Sequence, residues 1–406
     1  MARPYPIITV NEKAARSLRA GHPWVYGAET TGPDVPCENG DIVDVVTQKG
    51  RWLGAGFLND NSKIRVRLIS RNTNDRFDEA FWRRRLQHAL EYRRTVMGPD
   101  FSTSRLIFGE ADFFPGLTVD LFGDILVTEV LSLGMEKVKH ILYPHLVDLL
   151  AGYGVKVRAL YERNEAALRV KEGIPQEKGF YDLPGLATDL DGHVIITENN
   201  IQYDVDYING QKTGFFLDQK YNRRAAAALA PGKRVLDCFT HTGAFALNCA
   251  LAGAEQVTAV DISKDAVELT RRNAQRNGLT NVEAVQADVF DLLTDMAKEK
   301  KSPYDYIILD PPAFTKSGAT VKNAFRGYKE INLKAMKLLP RGGYLATCSC
   351  SHFMTAPLFC QMLREAAADA AVSLRQIEDR RQSPDHPILW GVPETEYLKF
   401  YLFQVV

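Results

Sequence analysis

The C-terminal half of the chain alternates between short apolar segments and longer segments of helical periodicity, and this alternation constrains the fold most. The predicted strands are 234–239, 256–261, 282–286, 304–309 and 343–348, and the predicted helices are 244–252, 264–276, 290–299, 327–339 and 356–370. Such alternation requires a parallel sheet with right-handed crossovers. The last predicted strands, 374–377 and 397–405, have no helix between them, so the sheet is expected to end in an antiparallel hairpin.

Length and composition indicate a globular protein of several domains. The chain has 406 residues, a formal net charge of zero, 45% hydrophobic residues and 25% charged residues. We predict a small β domain over 1–72, a central α+β domain over 73–207 and the alternating domain over 208–406. No segment is long and apolar enough to span a membrane, and the first residues lack the apolar core of a signal peptide. We therefore expect a cytoplasmic protein that does not bind membranes.

Acidic residues follow successive strands at the edge where open α/β sheets bind ligands. The first strand turns through Thr240–Gly243 into a helix, which places backbone N–H groups at that edge. Asp261 ends the second strand, where an acid usually holds ribose hydroxyls, and Asp288 follows the third, where it could accept an adenine amino group. One such acid could simply cap the next helix, but three in succession favour a cofactor site. The loop has one glycine rather than three, which counts against NAD.

The segment 211–221 precedes this domain and contains a Gly-Phe-Phe sequence beside two polar side chains. It offers a flat apolar surface for the adenine or methionine end of a cofactor, although it could equally be a core segment that links domains. The residues predicted to bind the cofactor are Phe215, Asp218, Gln219, Asp237, Phe239, Thr240, Thr242, Gly243, Asp261, Ile262, Asp288, Val289 and Asp310. No residues with metal-ligand spacing stand out, so we predict no metal site.

The sequence Asp310-Pro311-Pro312-Ala313-Phe314 follows the fourth strand. Proline has a fixed φ and no N–H donor, so this exit from the sheet is rigid. It presents a carboxylate and a carbonyl to a flat, nitrogen-bearing ring. We therefore predict that Asp310 and Pro311 contact a base and that Phe314 stacks on it.

Cys348 and Cys350 lie at the end of the next strand, beside Asp310 in the expected sheet order. A thiolate that attacks carbon 6 of cytosine turns the ring into an enamine, whose carbon 5 can then accept a methyl group. The alternative is that both are small buried residues, as predicted for Cys238 and Cys249. Strand alternation puts positions 348 and 350 on the same face, so periodicity does not choose between them. The six cysteines include no CxxC pair, which indicates reduced thiols.

The N-terminal segment contains three short predicted strands, 42–47, 52–57 and 64–69. The last alternates basic with apolar residues, which would place Lys63, Arg65 and Arg67 on one face. That face is either solvated or binds phosphates of a nucleic acid. A basic helix is predicted over 78–97, most simply as a solvated connector.

Two resemblances rest on these motifs. Residues 1–72 resemble a PUA domain, an RNA-binding module, through the sequences 21–24, 40–41, 54–57 and 64–68. The whole chain resembles bacterial large-subunit ribosomal RNA cytosine-5 methyltransferases through 211–221, 237–243, 260–261, 310–314 and 349–351. The resemblance implies an α/β protein with a small PUA-like β-barrel, a central α+β domain and a Rossmann-like, class I methyltransferase sheet of seven strands. It also implies the cofactor S-adenosylmethionine and ribosomal RNA as partner.

The resemblance further assigns the catalytic roles. Counted from Gly342-Gly343, the nucleophile of the family falls on Cys350, and Asp310 would contact N3 and the amino group of the base. Related enzymes carry a second cysteine, which aids product release, where this chain has Ala313. The leading hypothesis is thus the formation of 5-methylcytosine in 23S ribosomal RNA. The alternatives are a guanine N-methyltransferase without a covalent step and a non-catalytic RNA-binding assembly factor. The sequence leaves a homodimer open.

Overall fold

The computed structural model describes residues 3–299, 302–315 and 317–406, and the chain divides into two compact units. The first unit comprises the residues up to Ile195 together with Val205–Leu217 and Pro384–Thr395. The second comprises Ile196–Asp204, Asp218–Ser383 and Glu396–Val406. The three domain boundaries given above stay a prediction.

The first unit begins with a six-stranded sheet in the order β2-β6-β5-β4-β1-β3. Its elements are β1 Ile7–Val10, α1 Glu12–Arg19, β2 Trp24–Tyr26, β3 Thr30–Pro33, β4 Ile42–Thr47, β5 Trp52–Leu58 and β6 Ile64–Ser70. The three predicted strands are confirmed as β4, β5 and β6. Gly56 on β5 is required by close approach, because a Cβ there would lie 2.2 Å from the carbonyl oxygen of Arg67 on β6.

The prediction of one exposed basic face on β6 is wrong at Arg67. Its side chain is buried, and its guanidinium lies 2.8 Å from Glu172 and 3.6 Å from Glu110. Both carboxylates come from segments distant in sequence, so strand alternation alone does not reveal them. Lys63 is exposed, and Arg65 bonds to Asp60 at 2.6 Å.

The same unit contains a second, five-stranded sheet in the order β11-β10-β9-β8-β7. Its elements are α2 Glu79–Met97, β7 Thr103–Phe108, β8 Leu117–Phe122, β9 Ile125–Val130, α3 Leu133–Gly152, β10 Ala159–Asn164, α4 Leu168–Lys171 and β11 Glu177–Phe180. Asp78 caps α2 by accepting a hydrogen bond from the Phe81 N–H at 2.9 Å. The α2 helix is not only a solvated connector, since Trp82 and Arg93 are fully buried.

The second unit carries a seven-stranded sheet in the order β16-β15-β14-β17-β18-β20-β19. A two-stranded ribbon, β12 His193–Glu198 and β13 Ile201–Asp206, precedes it in sequence. The other elements are α5 Lys220–Ala227, β14 Arg234–Cys238, α6 Ala244–Leu251, β15 Gln256–Asp261, α7 Lys264–Arg276, β16 Val282–Gln286, α8 Val289–Glu299, β17 Tyr306–Leu309, α9 Val321–Leu338, β18 Tyr344–Ser349, α10 Ala356–Asp369, β19 Leu374–Arg380 and β20 Lys399–Val405. The strands β14 to β18 pair in parallel and β20 is antiparallel to both neighbours, which confirms the predicted parallel sheet and terminal hairpin.

Successive residues of the central strands pack into two hydrophobic cores. Leu236, Ile307 and Leu345 face one core, whereas Val235 and Tyr306 face the other. Burial of apolar residues on both faces is typical of a parallel sheet covered by helices on both sides. Among the described residues, no helix combines the length and apolar character that crossing a membrane would need.

Helix α9 differs from its prediction because it begins before residue 327 and continues through Gly327. A Cβ at Gly327 would lie 3.3 Å from the Phe314 ring. The glycine, which favours a helix end when read from sequence alone, instead makes room for that ring.

Candidate active site

The register of the parallel strands brings the predicted site residues to one edge of the sheet. Cys238 at the end of β14 pairs with Val260 on β15 and with Leu309 on β17, and Leu309 pairs with Thr347 on β18. The residues that follow these strand ends must therefore lie side by side. The structure thus gathers the 239–243 loop, Asp261, Asp310 and the two cysteines, as the sequence predicts.

The loop after β14 is held in an unusual backbone conformation. Phe239, His241 and Gly243 all have positive φ angles, of 65°, 52° and 81°. Such angles are uncommon for Phe and His and mark functional loops in many proteins. At Gly243 a Cβ would lie 2.7 Å from Thr270 Cγ2, so only glycine fits between the loop and α7. The loop is therefore fixed close to the helix.

Asp237 precedes this loop near the end of β14, and hydrogen bonds from described residues reach only one of its two carboxyl oxygens. Its Oδ2 accepts hydrogen bonds from Thr240 Oγ1 at 2.5 Å and from the Ala246 N–H at 3.0 Å. Among the described residues, the buried Oδ1 has no partner, and neither has the buried Oγ1 of Thr242. Burial raises the pKa of Asp237 to about 7, and the charges of Asp310 and Asp261 act in the same direction. Buried orphan oxygens of this kind suit a polar, cationic ligand.

Asp261 and Asp288 both bind backbone N–H groups. Asp261 accepts from His241 at 2.9 Å and from Ser263 at 3.0 Å, so it joins the 239–243 loop to the turn after β15. Asp288 Oδ1 accepts from the Phe290 N–H at 2.7 Å and caps α8, which is the structural role weighed for it above.

The hydrophobic residues assigned to the cofactor differ in accessibility. Ile262, directly after Asp261, is 65% exposed and offers an apolar surface at the edge. Val289 is buried in the core beside Leu293, so only its backbone is available to a ligand. Phe215 belongs to the first unit, where its side chain is buried.

Asp310 is the centre of a hydrogen-bond chain at the end of β17. Gln219 Nε2 donates to Asp310 Oδ1 at 3.1 Å, and Asn222 Nδ2 donates to Gln219 Oε1 at 2.7 Å. Burial, together with the nearby Asp218 charge, raises the pKa of Asp310 to about 6. Tyr397 donates to Asp218 at 2.6 Å. The chain of contacts holds a carboxyl group that takes up a proton more readily than an ordinary aspartate.

The two cysteines of the site have different surroundings. Cys348 is fully buried and hydrogen-bonded to Asp310 and Gln219, and burial holds its pKa well above the ordinary value. Cys350 follows the end of β18 and is partly exposed. A neutral buried thiol is inert, whereas an accessible one can react when its thiolate is stabilised.

Lys399 supplies a positive charge at this point, and sequence reasoning missed it. It pairs with Ser349 across β18 and β20, and its buried Nζ donates to the carbonyl oxygens of Ser351 at 2.6 Å and Tyr397 at 2.7 Å. Burial lowers the pKa of Lys399 to about 8, whereas its attraction to Cys350 raises that pKa. The signal in the sequence was a single lysine at the head of an otherwise apolar strand, next to the reactive strand end.

Pro311 and Phe314 were predicted to contact the base. Pro311 is buried. The Phe314 ring is partly buried, with its centroid 4.5 Å from that of Tyr328 and 5.8 Å from that of Phe290. The ring therefore belongs to an aromatic cluster rather than standing alone as a stacking surface.

The sheet order, the strained loop and the polar edge define a class I S-adenosylmethionine-dependent methyltransferase. Family comparison agrees, because the S-adenosylmethionine-dependent methyltransferase family matches residues 186–404 and the PUA-like domain family matches residues 8–71. A methyltransferase structure from Streptococcus mutans superimposes with a TM-score of 0.81 over 98% of this chain and 100% of its own, at 22% identity. A second structure, also with a TM-score of 0.81, covers the same shares at 21% identity and was solved as a complex with SAH.

Curated relatives narrow this class further. The ribosomal RNA large subunit methyltransferase I of Klebsiella pneumoniae (strain 342) is 36% identical over 99% of both chains. The protein of the same name from Shewanella denitrificans is 40% identical over 95% of both chains. The chain belongs to the ribosomal RNA large subunit methyltransferase I family.

Proposed function

We propose that this protein methylates carbon 5 of a cytosine in large-subunit ribosomal RNA, with Cys350 as a covalent nucleophile. The observation that carries the proposal is the partly exposed Cys350, within the electrostatic influence of the Lys399 ammonium group and at the same sheet edge as Asp310. The names of the relatives and the PUA-like domain support ribosomal RNA as the substrate. The cytoplasmic location and the homodimer left open by the sequence stay predictions.

S-adenosylmethionine, when bound, supplies an electrophilic methyl group. Asp237 and Thr242, with their orphan oxygens, would hold its amino acid end beside the 239–243 loop. Asp261 retains acceptor capacity for ribose hydroxyls, and Ile262 offers its exposed side chain to the adenine ring.

The covalent step begins on the cytosine ring, which must first leave its stack in the RNA. The Cys350 thiolate forms a bond to carbon 6, and the displaced π electrons collect at N3. A protonated Asp310 gives its proton to N3, which its raised pKa of about 6 favours. Carbon 5 of the resulting enamine is nucleophilic and accepts the methyl group, whose bond to the cofactor sulfur breaks. A general base then takes the carbon 5 proton, the electron pair of that bond forms the carbon 5–carbon 6 double bond, and the bond to sulfur breaks to release the Cys350 thiolate. N3 returns its proton to Asp310.

Lys399 is a positioning residue in this scheme, because it acts on the base only through the thiol. Its two carbonyl bonds fix the ammonium group near Cys350, where the positive charge stabilises the thiolate. Glu396 and Arg381 also act on Lys399, one raising and the other lowering its pKa. The Tyr328 hydroxyl on α9 accepts a hydrogen bond from Ser349 Oγ at 3.2 Å and lies within the electrostatic influence of Cys350, and burial keeps it neutral by raising its pKa beyond the usual range.

The test compares two cysteine variants on large-subunit ribosomal RNA. We expect Cys350→Ala to lower the rate of methyl transfer at least about 10³-fold, because the covalent route is lost. Cys348→Ala, at the neighbouring buried thiol, should keep activity within about tenfold. The measurement is transfer of radiolabelled methyl, with mass mapping of the modified nucleotide. Wild-type activity in Cys350→Ala would reject the covalent step and favour methylation of a guanine nitrogen. Absence of S-adenosylmethionine binding in calorimetry would instead favour an assembly factor without turnover.

A further inference from the structure

A surface cavity of about 520 Å³ lies in the first unit, between the end of β6, helix α2 and the turn before β8. Arg71 lines it from the segment after β6, Arg85 and His88 from α2, and Phe113 from the turn. None of these residues belongs to the methyl-transfer site, and all of them lie in one compact unit.

The two arginines of the cavity carry charges that no carboxylate compensates directly. Among the described residues, Arg71 makes no hydrogen bond or ion pair, and burial lowers its pKa. Within the described part of the chain, Arg85 donates only to two backbone carbonyl oxygens, those of Ile69 at 2.9 Å and Phe113 at 3.5 Å. Burial lowers the pKa of Arg85 to about 10. Arginines in proteins normally gain carboxylate partners when they lose water, so this pair favours a bound anion.

The acidic residues of the cavity are already engaged elsewhere. Asp112 accepts from both guanidinium nitrogens of Arg93, at 2.5 and 2.7 Å. Asp75 accepts from Ser70 Oγ at 2.6 Å and from Arg84 at 3.3 Å. These contacts occupy the carboxylates, which act on Arg85 only through space by raising its pKa and form no hydrogen bond with it that the described residues show. Arg71 and Arg85 therefore line the cavity without a carboxylate bonded to either guanidinium.

Phe113 adds a flat apolar surface beside these charges. Its φ angle of 61° is strained for an aromatic residue, and its ring remains 36% exposed. The Arg85 guanidinium lies 5.2 Å from the ring centroid and therefore stacks on it. Free guanidinium donors next to an exposed aromatic ring match a nucleotide, whose phosphate binds arginine and whose base stacks.

We propose that this cavity binds one nucleotide of the substrate RNA, with the phosphate between Arg71 and Arg85 and the base against Phe113. The proposal rests on the RNA substrate of the proposed function. The cavity shares no lining residue with the methyl-transfer site, so the nucleotide that we assign to it is not the one that is methylated.

The test uses Arg71→Ala, since Arg71 makes no hydrogen bond or ion pair with any described residue, and the substitution therefore removes no such contact. We expect the Kd for large-subunit ribosomal RNA transcript to rise about tenfold, and the slope of log Kd against log salt to fall by about 1. Arg85→Lys should weaken binding in the same direction, because it keeps the charge but loses the planar fork. Fluorescence anisotropy of labelled RNA over a salt series gives both quantities.

Arg83→Ala is the matched control, because Arg83 lies on the same helix but pairs with Asp148 at 2.6 Å. It should leave the Kd within about twofold. Unchanged RNA affinity and salt slope in both cavity variants would overturn the proposal, and saturable binding of AMP or inorganic phosphate alone would then define a small-anion site. Methyl transfer at saturating RNA should stay near wild type in Arg71→Ala. A protein that binds RNA through this cavity but transfers no methyl group would refute the proposed function instead.

Discussion

At the scale of single residues, the protonation of Asp237 should control cofactor binding. Its raised pKa of about 7 means that it is mostly neutral at pH 6 and mostly ionised at pH 8. A positively charged cofactor prefers the ionised form, so we expect the affinity for S-adenosylmethionine to increase about tenfold between these values. Calorimetry at both pH values measures this. Asp237→Asn should bind more weakly and lose the dependence on pH, and a variant that keeps the wild-type pH dependence would contradict the role.

The same raised pKa determines whether the contribution of Asp237 to the free energy of unfolding rises or falls with pH. The native state holds the Asp237 proton more tightly than the unfolded chain, whose aspartate has the ordinary value of 3.8. Stability of the cofactor-free protein from this group is therefore present at low pH and is lost as the pH rises from about 4 to about 7.

Lys399 should set the reactivity of Cys350. Lys399→Met removes the positive charge, so the pKa of the Cys350 thiol rises and less thiolate is present at pH 7. We expect alkylation of Cys350 by iodoacetamide to slow about tenfold, with its pH midpoint shifted upward. Lys399→Arg should restore part of the rate. Lys329→Met is the control, because Lys329 on α9 pairs with Asp369 at 2.9 Å and leaves the cysteine site intact. Equal alkylation rates in Lys399→Met and wild type would exclude the thiolate role.

Sequence reasoning reached the residues whose signal is local and missed those that depend on distant partners. Asp310 was predictable because it follows a strand directly. Strand periodicity did not choose between Cys348 and Cys350, and the prediction of Cys350 came from the family resemblance. The physical difference between the two thiols depends on burial and on Lys399 from the last strand. Arg67 was misplaced for a similar reason, since its partner Glu172 lies far along the chain.

At the scale of elements, the packing of α3 on β5 should be unusually sensitive to one methyl group. A Cβ at Gly134 would lie 2.1 Å from Phe57 Cγ, although the backbone there is helical. Gly134→Ala should therefore destabilise the protein by about 1–3 kcal/mol despite the better helix propensity of alanine. Gly152, in the same helix, has open space at its Cβ position, so Gly152→Ala should be neutral or stabilise by up to about 1 kcal/mol. Urea unfolding measures both, and equal effects would show that propensity rather than packing dominates.

Elements of the second unit were predictable because each strand is a short apolar run that ends in a polar turn. Helix α5 and strand β13 were not predicted, and the start of α9 was misplaced because Gly327 indicates a helix boundary in sequence but makes room for the Phe314 ring in the structure. Helix propensity describes the backbone of a single segment, whereas the glycine at position 327 is explained by the Phe314 ring, which is distant in the local helix pattern and close in the fold.

At the scale of the whole molecule, a net charge of zero conceals local positive charge. The basic residues that we assign to RNA are few and are set among carboxylates that have their own partners. Composition could not reveal them, because in a net charge the negative charges of Asp112 and Asp75 cancel any two positive charges. In the structure these carboxylates bind Arg93 and Arg84 instead. The hydrogen bonds and ion pairs of the structure are needed to show which arginines have no carboxylate bonded to them among the described residues.

The antiparallel strand β20 is made last among the strands of its sheet, yet it lies between β18 and β19. Lys399 stands opposite Ser349 only because β20 pairs with β18 in this register. The ammonium group that acts on Cys350 therefore belongs to the completed sheet and not to the run of strands that precedes β20.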